Sequence, residues 1–314
     1  MQNVLIRWKM KKYIYFFFII NLAFAQSLIV PIPEHIEYNE QKAKIGKYLF
    51  FDPNLSRDKN ISCASCHNPS QGWADKRKVS IGVYGRKGNI QSPTVLNSVF
   101  NFRQFWNGRA KDLKEQMNGP FHSHVEMDMT NELIVKRVKT NKIYVKMFRK
   151  IYKTKNITYD MITDAIAEFE KALITPNSKF DLYLKGKAKL TPLEKKGYIL
   201  FKKYGCITCH NGINIGGNSF QKMGIIFPVK KCSGDRYEIS HAKFDKCVYK
   251  VPTLRNIALT APYFHNASAK TLEKAVEKMA YNNLGLRIKK EDLKAIVAFL
   301  KTLTGKMPEI MRKK

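Results

Sequence analysis

The sequence predicts an all-α fold of two small helical domains, and three observations support that prediction. The pentapeptide Cys-x-x-Cys-His occurs twice, at residues 63–67 and 206–210. Apolar residues recur at helical spacing in several segments, whereas no segment shows the alternation typical of strands. The chain has 314 residues, 44% of them hydrophobic, which is enough for two domains with buried cores.

Residues 1–25 are predicted to be a secretory signal peptide. Lys11 and Lys12 precede an apolar run from Tyr13 to Ala25 that ends in Ala-x-Ala. The run is shorter than the roughly 20 residues that span a bilayer as a helix, so no stable membrane span is expected. An uncleaved anchor is the alternative. The mature chain would begin near Gln26 in the periplasm, an oxidising compartment.

The first domain is predicted to cover residues 26–187 and to contain the first Cys-x-x-Cys-His motif and several helices. One helix is indicated by apolar residues at three- and four-residue spacing, namely Ile162, Ile166, Phe169 and Leu173. A linker around Gly186 is predicted to lead into the second domain.

The second domain is predicted to cover residues 188–314, and its last residues are expected to pack back on the first domain. Thr191, Pro192 and Glu194 form the capping box of a helix that runs to about Tyr204. A later helix, predicted to stop by Gly305, has an apolar face made of Leu293, Ile296, Val297 and Leu300.

The two pentapeptides have the spacing of c-type haem attachment sites. Two thiols on one helical turn add to the vinyl groups of the porphyrin, and the following histidine binds the iron. The predicted haem-binding residues are Cys63, Cys66, His67, Cys206, Cys209 and His210. The separation of the pairs is far too long for a zinc ribbon, and a redox dithiol does not need the histidine.

A formal net charge of +31 is often associated with nucleic acid or an anionic surface. An exported protein does not meet the chromosome, and the sequence contains no nucleic-acid-binding motif, so no nucleic-acid partner is expected. Two explanations remain for the charge. It provides a basic face for an acidic electron donor, or it reflects a lysine-rich composition.

The chain resembles the bacterial di-haem cytochrome c peroxidases over about residues 40–305. Four blocks around the two haem motifs carry the resemblance, at residues 46–63, 92–110, 115–127 and 251–265. They include Ser-Pro-Thr-Val-Leu-Asn at 92–97 and Val-Pro-Thr-Leu-Arg-Asn at 251–256. The resemblance implies two cytochrome c-like domains with one covalently bound haem c each.

The resemblance implies that hydrogen peroxide is reduced at the first haem, where His67 is the proximal ligand. Glu126 would be the distal acid–base residue, and Gln116 its hydrogen-bonding partner. Trp106 would lie between the haems as an electronic bridge. From the residues alone, Glu126 is better explained as a solvated surface carboxylate. Trp106 could be a core residue and a bridge at the same time, because a bridging tryptophan is also buried.

The second haem would store and relay electrons, which requires a high reduction potential. The resemblance implies that Met279 is its axial ligand opposite His210, and a Met/His pair raises the potential. Two alternatives remain open. Met279 lies on an apolar helix face and could simply pack in a core, and Met223 is a second candidate ligand.

The resemblance also implies a calcium ion between the domains, held by oxygen atoms at Gln91, Thr260 and Pro262. Gln91 replaces the asparagine common in the family.

One position departs from the family pattern. Many members carry a distal histidine that must leave the first haem before peroxide binds, and the corresponding position here is Val83. The sequence has no histidine between residues 68 and 121. The first haem is therefore expected to be five-coordinate or water-bound when oxidised, without reductive activation, unless His122 or His124 supplies a ligand.

Cys232 and Cys247 lie outside the haem motifs. In an exported protein this remaining pair is predicted to form a disulfide that closes a loop of about 16 residues, with two free thiols as the alternative.

These observations predict a periplasmic peroxidase that takes electrons from a small donor such as a monohaem cytochrome c or a cupredoxin. Members of the family are typically homodimers, so a homodimer is expected. Two other functions compete with this one. A pure electron-transfer cytochrome would not need Glu126, Gln116 or an open iron position. An enzyme similar to MauG, which oxidises a protein tryptophan, carries tyrosine where Met279 stands here.

Overall fold

The computed structural model describes residues 28–312, so the predicted signal peptide lies outside the described residues. Helices dominate this range. The first half contains α1 (Glu40–Phe51), α2 (Cys63–Cys66), α3 (Leu113–Gln116), α4 (Asn118–His122), α5 (Asn131–Thr140), α6 (Lys142–Tyr152) and α7 (Tyr159–Lys171). The second half contains α8 (Lys179–Leu184), α9 (Pro192–Lys203), α10 (Tyr237–Ser240), α11 (Leu272–Leu284), α12 (Lys290–Lys301) and α13 (Glu309–Arg312).

Short 3-10 turns connect many of these helices. They are Pro53–Leu55, Pro69–Gln71, Val83–Gly85, Ser98–Phe100, Cys206–Thr208, Lys243–Asp245 and Ile257–Leu259. The second haem motif therefore begins in a 3-10 turn, whereas the first begins in the α-helix α2. In the described part of the chain, no helix combines the length and the apolarity needed to cross a membrane.

The sequence indicated no strands, and this was wrong at one place. Strands β1 (Phe220–Lys222) and β2 (Val248–Lys250) pair antiparallel, with Phe220 opposite Lys250. Each strand has only three residues, which is too short for an alternating pattern to be recognised. The disulfide between Cys232 and Cys247 lies beside this ribbon, because the Met223 amide donates to the Cys247 carbonyl at 2.8 Å.

The same helix crossing builds both halves. α1 packs on α7 in the first half, and α9 packs on α12 in the second. At each crossing a glycine lets the backbones approach closely. A Cβ at Gly46 would lie 1.9 Å from the Ala165 carbonyl oxygen, and a Cβ at Gly197 would lie 1.9 Å from that of Ala295. No side chain fits at either glycine.

An aromatic pair fills the space beside each crossing. The rings of Phe50 and Phe169 are 5.2 Å apart in the first half, and those of Phe201 and Phe299 are also 5.2 Å apart in the second. All four are buried. Such edge-to-face and tilted contacts add to the free energy gained by burying the rings.

The predicted helix starts and periodicities are confirmed. Thr191 caps α9, because its hydroxyl oxygen accepts the Glu194 amide at 3.3 Å while the Glu194 carboxylate accepts the Thr191 amide at 2.7 Å. The helix with the apolar face at Leu293 and Leu300 ends before Gly305, but Gly305 is not the residue that caps it. α12 ends at Lys301, and Gly305 instead packs against the Thr175 backbone and donates to the Asn256 side chain at 3.0 Å.

Each half has its own apolar core. The first core gathers residues of α1 and of α4 through α7, while the second gathers residues of α8, α9, α11 and α12. Phe180 and Ile29 belong to the second core, and Ile310 packs against the first. The Lys47 ammonium also donates to the Ile310 carbonyl at 2.9 Å. The proposed division at residue 188 stays a prediction, although packing places α8 with the second half.

Two buried side chains, Thr175 and Arg255, link distant segments of the chain. The Thr175 hydroxyl accepts a hydrogen bond from Asn97 at 2.8 Å and another from Asn256 at 2.9 Å. These asparagines end the two Pro-Thr blocks, so Thr175 links the two haem halves. Arg255 pairs with Asp181 at 2.6 Å and donates to the Val30 carbonyl at 2.9 Å, which holds the N-terminal segment against the second core.

Candidate active site

One cavity of about 880 Å³ runs between the two halves and brings together most of the predicted site residues. The predicted residues that line it are His67, Gln91, Trp106, Gln116, Glu126, Cys206, Cys209, His210, Thr260, Pro262 and Met279. Cys63 and Cys66 lie in α2 directly before His67. Val83, Cys232 and Cys247 do not line the cavity.

The two motif histidines have matching surroundings. The His67 Nδ1 atom lies 3.3 Å from the Trp73 carbonyl oxygen, and the His210 Nδ1 atom lies 3.4 Å from that of Ile215. A backbone carbonyl on one ring nitrogen is the usual support of a metal-binding histidine, whose other nitrogen faces the metal. Burial lowers the pKa of His67 and lowers that of His210 to about 4, so both rings are neutral, as iron ligation requires.

The Pro-Thr blocks hold these carbonyls in place. The Thr94 hydroxyl donates to the Gly72 carbonyl at 2.8 Å, and the Thr253 hydroxyl donates to the Asn214 carbonyl at 2.7 Å. Gly72 and Asn214 directly precede the residues whose carbonyls face the histidines. The repeated Pro-Thr sequence thus supports the proximal side of each site.

The four motif thiols are unpaired. Burial raises the pKa of the Cys63 thiol and raises that of Cys206 to about 11. Reactive redox dithiols have lowered thiol pKa values, so these sites do not have the electrostatics of such a dithiol. Two neighbouring, half-buried free thiols beside a neutral histidine, at a cavity of this size, fit a covalently attached haem at both motifs.

Glu126 follows the short helix α4 and is half-buried at the cavity wall. Burial raises the pKa of its carboxyl above the ordinary value, while the charge of Arg109 and a hydrogen bond with Ser123 oppose that shift. The Arg109 guanidinium lies 3.4 Å from the centre of the Phe105 ring, which fixes its position. Burial and the Arg109 charge thus shift the pKa of Glu126 in opposite directions, and a carboxyl in such surroundings is suited to both giving and taking a proton.

The loop with Val83 packs against the acid–base segment. Val83 is buried, and its amide donates to the Glu126 carbonyl at 2.9 Å. A Cβ at Gly82 would lie 2.2 Å from the Val125 carbonyl oxygen, so the close contact between the backbones of these two segments requires glycine. Of the two histidines that the sequence left open, His124 lines the cavity, whereas the His122 side chain contacts Asn131 at 2.8 Å.

Trp106 is fixed at the boundary between the halves. Its indole nitrogen donates to the Gln91 carbonyl at 2.9 Å, and its own carbonyl accepts the Lys250 amide at 2.7 Å. The Trp106 ring meets Tyr249 at 6.4 Å and His265 at 6.2 Å, both edge to face. The Tyr249 and His265 rings stack on each other at 4.3 Å.

Both methionine candidates line the cavity. Met279 lies on α11, and Met223 follows β1. His210 lines the same cavity as both methionines, so the lining does not choose between them, and the assignment of Met279 stays a prediction.

The residues of the expected calcium site lie at the cavity wall. The Gln91 side-chain amide donates to the Asp75 carbonyl at 2.9 Å, and the Gln91 backbone amide donates to the His265 carbonyl at 2.8 Å. Thr260 and Pro262 line the same cavity. Carbonyl and amide oxygens are the atoms that calcium accepts, and the ion itself stays a prediction.

Sequence reasoning missed Arg109, Glu170, Tyr249 and Lys250, all of which line the cavity. Arg109 belongs to the Phe-Trp-Asn-Gly-Arg block, and Tyr249 and Lys250 directly precede the second Pro-Thr block. Their position next to the recognised blocks was the available signal. Glu170 lies inside a helix and gave no such signal.

The fold and the two paired thiol–histidine sites define a protein of the di-haem c-type cytochrome class. The family model described as "Di-haem cytochrome c peroxidase" matches residues 40–189, and the model "Cytochrome c" matches residues 194–304. The chain is 48% identical to cytochrome c551 peroxidase of Nitrosomonas europaea, covering 91% of this chain and 86% of that protein. It is 42% identical to cytochrome c551 peroxidase of Pseudomonas aeruginosa, covering 91% and 87% of the two chains.

The chain belongs to the di-haem cytochrome c peroxidase family and is an enzyme of that class, with haem c as its cofactor. MauG of Methylorubrum extorquens is more distant, at 30% identity over 87% of this chain and 81% of that protein. Among solved structures, a MauG-like protein associated with microbial copper homeostasis has 26% identity and a TM-score of 0.79, covering 88% of this chain and 93% of that one.

Proposed function

We propose that the chain is a periplasmic peroxidase that reduces hydrogen peroxide to water with electrons from a small donor, a monohaem cytochrome c or a cupredoxin. The reaction consumes two electrons and two protons per peroxide. The names of the relatives at 48% and 42% identity support a cytochrome as the donor. The observation that supports the site best is that Glu126 and Gln116 line the same cavity as His67.

Glu126 is the proton carrier in this proposal. Its carboxylate takes the proton from the peroxide oxygen that faces the iron and returns it to the leaving oxygen, which departs as water. Gln116 orients the peroxide by hydrogen bonding. The charge of Arg109 favours the ionised form of Glu126, which is the form that accepts the proton. Haem iron bound by His67 supplies the redox chemistry at this position.

The second half is the electron relay. His210 and Met279 are proposed as the axial pair of the second haem, and Trp106 as the aromatic bridge toward the first. The support is that Trp106 lies at the boundary of the halves and lines the cavity that both motif histidines reach. Calcium at Gln91, Thr260 and Pro262 would stabilise the same boundary. The ion would fix Gln91, whose carbonyl accepts the hydrogen bond of the Trp106 indole.

The enzyme is proposed to work without prior reduction, because Val83 replaces the distal histidine and cannot bind iron. The packing of Val83 against Glu126 supports this proposal. We also propose a homodimer and an acidic donor surface, the latter because the chain carries 56 Lys and Arg residues against 25 Asp and Glu residues. Turnover with an acidic donor should then fall as ionic strength rises.

Steady-state turnover tests the function directly. The purified di-haem protein is mixed with hydrogen peroxide and a reduced cytochrome c, and oxidation of the cytochrome is followed by absorbance. We expect turnover with two cytochromes oxidised per peroxide. Absence of turnover in both the oxidised and the half-reduced protein would exclude the proposed function.

A MauG-like oxidation of a protein tryptophan is the second candidate. The lack of a distal histidine and the 30% identity to MauG favour it, whereas methionine at position 279 disfavours it. Peroxide-dependent turnover without oxidation of a supplied cytochrome, together with modification of a protein tryptophan, would favour this candidate.

A further inference from the structure

Lys250 is a buried cation that the proposed mechanism does not use. It ends strand β2, is 8% exposed and lines the cavity. Its backbone amide donates to the Trp106 carbonyl at 2.7 Å, so its backbone position is coupled to that of the proposed bridge. Burial lowers the pKa of its ammonium to about 8, and no neighbouring charge opposes that effect.

Lys250 has no partner of opposite charge within the described range of residues 28–312. No carboxylate there forms an ion pair with it, and burial is the cause of its lowered pKa. The other deeply buried cation near this boundary, Arg255, pairs with Asp181 at 2.6 Å. A buried ammonium without a partner is costly by several kcal/mol, so a retained one indicates an anion that faces it.

The chemistry of the cavity identifies that anion. Both motifs fit haem c, and each haem carries two propionate carboxylates at one edge. The cavity glutamates Glu126, Glu170 and Glu238 form no ion pair with Lys250. A propionate is therefore the carboxylate that the filled cavity would bring to this ammonium.

We propose that Lys250 is the internal counter-charge of a haem propionate and thereby fixes the position of that haem relative to Trp106. This inference rests on the haem sites of the proposed function. Lys250 is a positioning residue, because it contacts neither peroxide nor iron in this account. Its charge stabilises the reduced haem relative to the oxidised haem, which carries one more positive charge. Removing that charge should lower the reduction potential of the haem concerned.

Redox titration of the holoprotein, followed by haem absorbance, tests the proposal. The variants are Lys250→Met and Lys250→Gln, which remove the charge, and Lys250→Arg, which keeps it. Lys243→Met is the matched control, since it removes the same charge from an exposed side chain in the segment before β2. We expect the first two variants to lower the midpoint potential of one haem, while the Arg variant and the control stay near wild type.

Unchanged potentials of both haems in Lys250→Met and Lys250→Gln, at full haem content, would overturn the proposal. If the neutral variants lose haem, retention of both haems in Lys250→Arg supports the counter-charge, and equal loss in Lys250→Arg contradicts it. The titration does not depend on turnover. A wild-type protein without peroxidase activity would reject the proposed function and leave this measurement interpretable.

Discussion

The two haem halves have the same proximal side and different distal sides. Gly46 and Gly197 form equivalent helix crossings, and the histidines at 67 and 210 face equivalent backbone carbonyls. On the other side of the cavity wall the halves differ, because Glu126 lines the cavity from a loop of the first half and Met279 lines it from the helix α11 of the second. The shared scaffold therefore places each motif histidine in the same way, and the two halves differ in the side chains that they bring to the cavity.

One pair of residues shows the same difference inside the shared scaffold. Glu170 follows Phe169 on α7 as Leu300 follows Phe299 on α12, and both side chains line the cavity. Glu170 is buried, and burial raises the pKa of its carboxyl to about 8. The half proposed to react with peroxide has an ionisable group where the relay half has a hydrocarbon.

The largest expected effect separates the two distal sides. Glu126→Gln should lower turnover with peroxide by roughly 10²–10⁴-fold, because the proton carrier is lost. The potential of the second haem should not change. Stopped-flow and steady-state kinetics measure the first quantity, and redox titration the second. Glu132→Gln, which alters an exposed carboxylate on α5, is the control, and a Glu126→Gln enzyme as fast as that control would remove Glu126 from the mechanism.

The second prediction tests whether the scaffold is shared. Gly46→Ala and Gly197→Ala each force a Cβ against a backbone carbonyl, so each should destabilise the protein by about 1–3 kcal/mol or more. Denaturant unfolding measures the change. Gly88→Ala is the control, because its nearest neighbour would be 3.6 Å away. An effect at only one crossing would show that the halves are not equivalent in packing.

The third prediction assigns the axial ligand of the second haem. Met279→Leu should lower the potential of that haem, because a thioether ligand favours the reduced iron. Met223→Leu is the matched control and should leave the potential unchanged. Potentiometric titration distinguishes them, and the reverse result would make Met223 the ligand.

The smallest expected effect concerns Glu170. Its folded-state pKa of about 8 lies above the ordinary value of 4.5. Between these values the folded protein keeps a proton that the unfolded chain releases, so this group makes the folded state less stable as pH rises. Relative to Glu170→Gln, wild type should lose about 1–3 kcal/mol between pH 5 and pH 8. Unfolding curves of both holoproteins at several pH values measure this difference, and parallel pH profiles would contradict it.

The sequence was sufficient for the parts that depend on local spacing. The Cys-x-x-Cys-His motifs marked the haem sites, and the capping box at Thr191 marked the start of α9. The sequence could not reveal the burial of Lys250 or Glu170, because burial of a charged side chain depends on packing between distant segments. It also could not choose between Met223 and Met279, since both reach the cavity from different elements.

The comparison of the two halves depends most on the coordination of the two irons in the oxidised protein. Electron paramagnetic resonance and absorption spectra of the fully oxidised holoenzyme report both at once. We expect one high-spin haem, which corresponds to the first half with Val83 and an open distal side, and one low-spin haem with a His/Met pair. Two low-spin haems with no high-spin component would contradict the account.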